Sequence, residues 1–381
     1  MEKKFTYQSI LLTIIVLSFF ILMLQQFTHF SKVRKLKGAI VFAEQPEFSL
    51  DSWFSGAYQD SLSLYINENF GFRSFFVRLN NQLFLNLYKH AKANGVVVGK
   101  DDYLYEKNYI DAYYGRNFIG EELIAEKVSK LKRIQEKLIL RGVNLLVVIA
   151  PGKGAYYPEH IPNELKGDNN AKTNYQIYVK YLSNSGVNYI DVNKWFLEMK
   201  KNSFAPLMPK SGTHWSRFGE LKFGDSLLNY VDQFSGIHTS KFHFIDTLIS
   251  SKPKFTDEDI EDGMNILEDL DDLKLAYQRF EVKKNQKENV KGMVVGDSFY
   301  WGLYNHGFST DFFGNGQFWF YFNEVHQIGK PDQLAKNLNL KEEIEKHNVL
   351  VLLCSETNLN QFSFGFLDAA YEAYNIEAEQ N

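Results

Sequence analysis

Four short apolar runs, each set among helical patterns, restrict the possible folds more than any other feature of this sequence. They are Val143–Ala150, Val187–Ile190, Gly292–Val295 and Asn348–Cys354. Apolar runs of four to eight residues that alternate with helices are typical of a parallel sheet covered by helices on both faces. The sequence therefore predicts an α/β domain in which these four strands lie in one parallel sheet.

The segments around these runs have the three- and four-residue periodicity of amphipathic helices. The predicted helices are Phe48 to Tyr88, Glu121 to Leu140, Asn174 to Ser183 and Ser216 to Tyr230. A short hairpin is predicted between Gly95–Lys100 and Tyr103–Tyr105. The acidic, irregular stretch Lys252 to Gln286 is interpreted as an insertion or flap. We expect the main domain to span residues 48–375.

An uncharged apolar run near the N-terminus predicts a membrane anchor. It extends from Ile10 to Leu24. With its flanks from Tyr7 to Phe27 it reaches about 21 residues, enough to cross a hydrocarbon core of roughly 30 Å. A cleaved signal peptide is the alternative, but no small-residue cleavage site follows the run. We expect an anchor over residues 1–30, a linker over residues 31–47, and the rest of the chain outside the cytoplasm.

The composition restricts the partners and the redox chemistry of the chain. The net charge is −4, and the absence of an extended basic stripe argues against nucleic-acid binding. The single cysteine, Cys354, lies inside an apolar run, which indicates a buried structural thiol. Aromatic residues make up 16% of the chain, which fits either an aromatic core or platforms for sugar rings.

The motif Gly296-Asp297-Ser298 follows a predicted buried strand directly and is the strongest chemical signal in the sequence. The serine hydroxyl is thereby placed at the carboxyl end of a parallel strand, where open α/β sheets bind their ligands. Gly296 permits a sharp turn, and backbone N–H groups at the start of the next helix can stabilise an oxyanion. Asp297 either caps this turn or faces a ligand. An ordinary turn with serine as the helix N-cap is the alternative.

His214 is the best-placed base for such a serine. It lies in the Gly/Ser-rich segment Pro209–Ser216 just before a helix, where a side chain can reach a shared cleft. A histidine bonded to loop backbone is the alternative. Lys153, just past the strand that ends at Ala150, either binds an anion or oxyanion or is solvated. No HExxH, CxxC, P-loop or GxGxxG motif is present, so neither a metal nor a cofactor is expected.

Taken in order, these motifs resemble the SGNH-hydrolase-like family of the alginate O-acetyltransferases AlgJ and AlgX. The similar segments are Tyr65–Arg73, Val98–Tyr105, Pro151–Pro158, Gly212–Trp215, Gly296–Phe299, Ser355–Leu359 and Phe364–Phe366. The resemblance implies an SGNH-like sheet and a Ser–His–Asp triad with its acid in an Asp-x-His-Trp motif. This chain departs from that pattern, because Gly212 stands where the acid is expected.

By this resemblance Ser298 is the nucleophile and His214 is the base. Since the usual acid is missing, we expect Asp191 at a strand end or Glu356 past the last strand to orient the imidazole. A backbone carbonyl in a dyad is the third possibility. The candidate contacts to substrate or oxyanion are Gly296, Lys153, Asp297 and Trp215.

The implied function is O-acetylation of an extracellular or cell-wall polysaccharide through an acylated Ser298. A multipass membrane acyltransferase is the implied partner that delivers the acyl group. With water as the acceptor, the same residues would form a carbohydrate acetylesterase. A polysaccharide-binding or assembly component with a degenerate triad is the alternative, favoured by Gly212 and opposed by the presence of Ser298 and His214. The distance between those two side chains discriminates between an enzyme and a non-catalytic binding component.

Overall fold

Residues 6–38, 41–285 and 290–374 are described by the computed structural model, and they form two compact units. The helical unit contains the chain up to Asn94 together with Glu261–Asp269. The α/β unit contains Gly95–Ile260 and the chain from Leu270 onward. Every residue predicted to carry chemistry lies in the α/β unit. The predicted domain end at residue 375 lies outside the described residues.

The helices of the described chain are α1 (Tyr7–Thr28), α2 (Leu50–Ser55), α3 (Ala57–Asn69), α4 (Arg73–Tyr88), α5 (Lys107–Tyr113), α6 (Glu121–Ile139), α7 (Lys153–Tyr156), α8 (Asn174–Ser185), α9 (Val192–Met199), α10 (Arg217–Ser235), α11 (Asp259–Met264), α12 (Trp301–Asn305), α13 (Phe308–Asp311), α14 (Leu340–Glu345) and α15 (Phe366–Ala373). The predicted helices near residues 121–140, 174–183 and 216–230 are present as α6, α8 and α10.

In the helical unit, α1 coincides with the predicted anchor and is long and apolar enough to cross a membrane. The amphipathic stretch predicted from Phe48 to Tyr88 forms three helices instead of one. The first break is at Gly56, whose φ of 85° lies in the left-handed region that glycine adopts without strain. The second break is at Phe70–Phe72, between α3 and α4.

The strands of the described chain belong to three sheets. They are β1 (Val96–Val98), β2 (Leu104–Glu106), β3 (Asn144–Ala150), β4 (Tyr189–Asp191), β5 (Lys241–Ser250), β6 (Leu275–Lys283), β7 (Gly292–Gly296), β8 (Gln317–Phe320), β9 (Glu324–His326), β10 (Gln333–Leu334) and β11 (Val349–Ser355). The predicted hairpin is the antiparallel pair β1–β2, and β5 pairs with β6 in a separate antiparallel ribbon.

The seven-stranded central sheet has the order β10-β9-β8-β7-β11-β3-β4. Its members β7, β11, β3 and β4 pair in parallel, which confirms the predicted parallel arrangement. The sheet as a whole is mixed, because β9 and β10 add antiparallel pairs beyond the parallel strand β8. All four predicted strands therefore end at the same edge of the sheet, and the residues that follow them lie close together.

The apolar runs are continuous because both faces of the sheet are covered. Alternate residues of β3 point to opposite sides: Leu146 and Val148 belong to one buried cluster, and Leu145 and Val147 belong to the other. Residues of α10 cover the first face, and residues of α6 and α8 cover the second. Cys354 is buried in the second cluster, as predicted.

Candidate active site

Ser298 begins the turn that follows β7, and its side chain is partly exposed. Asp297, which is fully buried, holds this turn in place. One of its oxygens accepts from Phe299 N at 3.1 Å, and the other accepts from Ser355 N at 2.8 Å and from Asn358 Nδ2 at 2.9 Å. The carboxylate thus joins the ends of β7 and β11. The prediction that Asp297 contacts substrate is wrong, because its two oxygens are occupied by these internal donors.

His214 meets Ser298 at the carboxyl edge of the sheet. The distance between His214 Nε2 and Ser298 Oγ is 2.8 Å, which is within hydrogen-bond reach. The imidazole lies two residues before Ser216, the N-cap of α10, whose hydroxyl accepts from Gly219 N at 3.0 Å. The two residues that the sequence singled out are therefore brought together.

The other imidazole nitrogen contacts a residue that the sequence did not single out. His214 Nδ1 lies 2.5 Å from Asp259 Oδ2, and Asp259 Oδ1 accepts from Thr213 N at 2.7 Å. Asp259 is the first residue of α11 and lies within the acidic stretch predicted to be a flap. Its carboxylate therefore fixes both the ring of His214 and the backbone just before it.

The prediction that Asp191 or Glu356 orients His214 is wrong. Asp191 Oδ2 accepts from Tyr175 OH at 2.9 Å, and Asp191 Oδ1 caps α9 by accepting from Lys194 N at 2.9 Å. Glu356 is buried against the backbone of Gly152, which has no side chain in the space that the carboxylate fills. Asp191 is the last residue of β4 and Glu356 directly follows β11, but Asp259 is the residue that contacts His214.

Gly212 shows why the acid is not two residues before the histidine. A Cβ atom built at this position would lie 2.6 Å from the carbonyl oxygen of Thr256 and 2.7 Å from that of Asp257. The turn that leads into α11 occupies the space that an aspartate side chain would need. The same segment that excludes an acid at position 212 supplies Asp259 three residues after Thr256.

Asp259 also determines the protonation behaviour of the base. Burial by itself would lower the pKa of His214, but the charge and hydrogen bond of Asp259 raise it above its ordinary value of 6.5. More distant Asp297 and Glu106 act in the same direction. The paired carboxylate thus favours the imidazolium that forms when the ring accepts a proton.

Lys153 holds the loop that carries His214. Its side chain is fully buried, and Nζ donates to the carbonyl oxygens of Lys210, at 2.7 Å, and of Gly212. Asp272 accepts from Lys210 N at 3.2 Å and from Ser211 N at 3.1 Å. Burial lowers the pKa of Lys153 to about 7. Lys153 is therefore not a solvated lysine, and its ammonium group binds loop carbonyls.

Trp215 and Gly296 are the two remaining residues that were predicted to contact substrate or the oxyanion. Trp215 is 1% exposed and stacks on Phe223 with ring centroids 4.7 Å apart, so it belongs to the core and does not reach substrate. Gly296 ends β7, and its carbonyl oxygen accepts from Tyr321 N at 2.9 Å. Burial raises the pKa of the Tyr321 phenol, and the nearby side chains of Ser298 and Asn358 act on it in the opposite direction. Tyr321 is a site residue that sequence analysis missed.

Glu356→Gln should reduce the pH dependence of stability. Burial raises the pKa of Glu356 from 4.5 to about 8. Between these pKa values the folded protein keeps a proton that the unfolded chain has lost, so the unfolding free energy falls as pH rises. At pH 8 this costs on the order of a few kcal/mol. Thermal unfolding of wild type and Glu356→Gln at about pH 5.5 and about pH 8 measures the difference.

The exposed residue Glu164 provides the control for this experiment. Glu164→Gln should show the wild-type loss of stability between the two pH values. The same loss in Glu356→Gln would show that the carboxyl of Glu356 is ionised in the folded protein.

No group of three or more His, Cys, Asp or Glu side chains is arranged to hold a metal ion in the part of the chain that the structure describes. At this edge of the sheet Ser298, His214 and Asp259 form a hydrogen-bonded series. A serine, an imidazole and a carboxylate in this order have the arrangement of a Ser–His–Asp triad, which several classes of hydrolase-like α/β proteins share.

Comparisons with known proteins agree with one of these classes. The family model described as the SGNH hydrolase-like domain of the acetyltransferase AlgX matches residues 96–222. A probable alginate O-acetylase AlgJ of Pseudomonas syringae pv. tomato is 25% identical over 159 residues, which cover 42% of this chain and 39% of that protein. The probable alginate O-acetylase AlgJ of Pseudomonas aeruginosa is 28% identical over 130 residues, which cover 34% and 31%. The predicted resemblance to the AlgJ/AlgX-like family is confirmed.

Two solved structures show likeness over a longer part of the chain. The O-acetyltransferase domain of Pseudomonas putida AlgJ is 16% identical with a TM-score of 0.46, covering 72% of this chain and 99% of that one. Bacillus cereus PatB1 is 14% identical with a TM-score of 0.44, covering 71% and 99%. The matches to the two curated AlgJ relatives each span less than half of those proteins.

Proposed function

We propose that this protein is an O-acetyltransferase that modifies a polysaccharide through an acetylated Ser298. The observation that carries the proposal is the continuous series from Ser298 Oγ through His214 to Asp259, with distances of 2.8 and 2.5 Å. A polysaccharide acceptor is supported by the names of the two relatives, which are probable alginate O-acetylases.

In the first half-reaction, Ser298 Oγ attacks the carbonyl carbon of an acetyl donor while His214 Nε2 takes the hydroxyl proton. Asp259 stabilises the resulting imidazolium and keeps Nε2 directed at the serine. The N–H of Ser298, at the start of its turn, is the proposed donor to the oxyanion. His214 then returns its proton to the leaving group, and the acetyl group remains on Ser298.

The second half-reaction uses the same residues in reverse. A sugar hydroxyl attacks the acetyl carbon, His214 removes its proton, and Ser298 leaves with that proton. When water replaces the sugar, the site acts as an acetylesterase.

We propose that α1 anchors the protein in the cell membrane with the α/β unit outside the cytoplasm. There a multipass membrane acyltransferase could supply the acetyl group.

The defining intermediate can be observed directly. Detergent-solubilised full-length protein, mixed with p-nitrophenyl acetate and quenched in acid, should gain one acetyl group by intact-mass analysis. Peptide mapping should locate that group on Ser298. Turnover of the ester without acetylation at Ser298 would contradict the serine acyl-enzyme, and a wild-type protein that does not turn over the ester would favour the polysaccharide-binding alternative.

A further inference from the structure

His214 is carried by a loop that has no regular structure of its own. Residues 203–216, between α9 and α10, form neither helix nor strand. No helical or sheet ladder therefore holds the backbone next to the imidazole, and its N–H and C=O groups need other partners. Because His214 Nε2 must stay within reach of Ser298 Oγ, the partners of this loop bear on the proposed reaction.

Three aspartates of the acidic stretch that was predicted to be a flap supply many of these partners. Their carboxylates accept from N–H groups on both sides of His214: Asp272 from Lys210 at 3.2 Å and from Ser211 at 3.1 Å, Asp259 from Thr213 at 2.7 Å, and Asp257 from Arg217 at 3.0 Å. Hydrogen bonds in which the acceptor is ionised are stronger than those between neutral groups. The acidic stretch therefore holds the backbone that carries the base.

Asp272 differs from the other two aspartates in its position. Asp259 contacts the imidazole itself, and Asp257 binds the first residue of α10. Asp272 is partly exposed, and its two oxygens accept from the N–H groups of adjacent loop residues. An ionised carboxylate accepts on both oxygens, whereas the amide of asparagine would turn an NH2 group toward one of the two donors. This pair of bonds therefore depends on the carboxylate.

Lys153 holds the carbonyl groups of the same part of the loop. Its buried ammonium donates to the carbonyl oxygens of Lys210, at 2.7 Å, and of Gly212. Burial lowers the pKa of Lys153, and the charges of Asp259 and Asp272 oppose that effect. The two aspartates thus help to keep the ammonium charged while they bind the N–H groups beside it. Carboxylate and ammonium together fix the peptide units from residue 210 to residue 213.

We infer that Asp272 is a positioning residue for the reaction at Ser298. The inference rests on the proposed function. By binding two successive N–H groups of the loop, Asp272 keeps His214 within reach of both Ser298 Oγ and Asp259 Oδ2. It acts through His214 and takes no part in making or breaking bonds. A displacement of about 1 Å in a reacting group can lower a rate on the order of 10²-fold. Release of the loop should therefore slow the reaction and leave substrate binding intact.

Asp272→Asn should lower kcat for p-nitrophenyl acetate about 10- to 100-fold and leave KM within about twofold of wild type. The assay uses detergent-solubilised full-length protein over a range of pH. The acidic limb should move to lower pH, because a displaced imidazole loses part of the Asp259 contact that raises the pKa of His214. Asp297 and Glu106 also raise that pKa, and the substitution leaves both in place.

Two further variants separate the hydrogen bonds of Asp272 from its charge. Asp272→Glu keeps the charge, but the longer side chain cannot place its two oxygens on the same pair of N–H groups without moving the loop. It should therefore lose kcat by a similar factor and show the same shift of the acidic limb. Asp271→Asn removes an equal charge at the adjacent exposed position and should keep the wild-type kcat and pH profile. Thermal unfolding of each variant sets a common temperature at which all of them are folded.

The positioning role and the proposed function fail in different ways. Wild-type kcat in Asp272→Asn, or in Asp272→Glu, would overturn the positioning role. A lower kcat with an unshifted acidic limb would also overturn it, because a merely structural residue changes the amount of active protein and not the pKa of the base. In each of these cases the proposed function stands if Ser298→Ala is inactive. If Ser298→Ala keeps full ester turnover, the proposed function itself fails.

Discussion

Ser298→Ala should reduce acetyl-ester turnover by about 10⁴- to 10⁶-fold, the largest loss expected of any single substitution in this chain. The variant removes the only atom proposed to form a covalent bond with the acyl group. Without it, the oxyanion donor and His214 can act only on water. His214→Ala should be nearly as damaging, since an unassisted serine hydroxyl is a poor nucleophile near neutral pH. Steady-state turnover of p-nitrophenyl acetate measures both.

Stability should hardly change in Ser298→Ala. The hydroxyl is partly exposed and the turn is held by Asp297, so the loss of one oxygen should alter the free energy of unfolding by about 1 kcal/mol or less. Ser183→Ala, at an exposed position on α8, is the matched control and should keep full activity. Wild-type turnover in Ser298→Ala would eliminate the serine mechanism.

Asp259→Asn should lower turnover about 10³- to 10⁴-fold, because an amide neither stabilises the imidazolium nor secures the required tautomer of His214. It should also shift the pH profile in a predictable direction. The base must be neutral, so wild-type activity falls as pH drops through the raised pKa of His214. Removing the Asp259 charge leaves burial, which lowers that pKa. The acidic limb should therefore move to lower pH.

Two further variants test whether Asp259, and no residue at position 191 or 212, is the acid that orients His214. Asp191→Asn should keep wild-type turnover and an unshifted acidic limb, because Asp191 bonds Tyr175 and the start of α9. Gly212→Asp combined with Asp259→Asn should not restore activity, since the side chain at 212 would collide with the carbonyls of Thr256 and Asp257. Full activity in Asp259→Asn would instead favour a Ser–His dyad.

The buried strands of the sheet were predicted from the sequence because their signals are local. β3, β7 and β11 are continuous apolar runs because both of their faces are buried, and that burial is visible in composition alone. Ser298 stands in the turn directly after such a strand, so its place at the carboxyl edge followed from strand direction. His214 was singled out by its Gly/Ser-rich loop before a helix and by the family resemblance. Their hydrogen bond was expected on these grounds, and the structure provides its distance.

Asp259 could not be predicted in this way from the sequence. The candidates Asp191 and Glu356 were chosen because they follow strands, and position along a strand says nothing about which way a carboxylate points. Asp259 is one acid among many in an irregular stretch, and no periodicity distinguishes it.

The sequence by itself determined the buried strands, the apolar N-terminal helix and the two motifs that carry Ser298 and His214, because each of these is a local pattern of neighbouring residues. Only the tertiary structure decided the identity of the acid and the burial of Lys153 and Trp215. These depend on contacts between segments far apart in sequence. Asp259 reaches His214 across 45 residues because the turn that precedes it occupies the space beside Gly212.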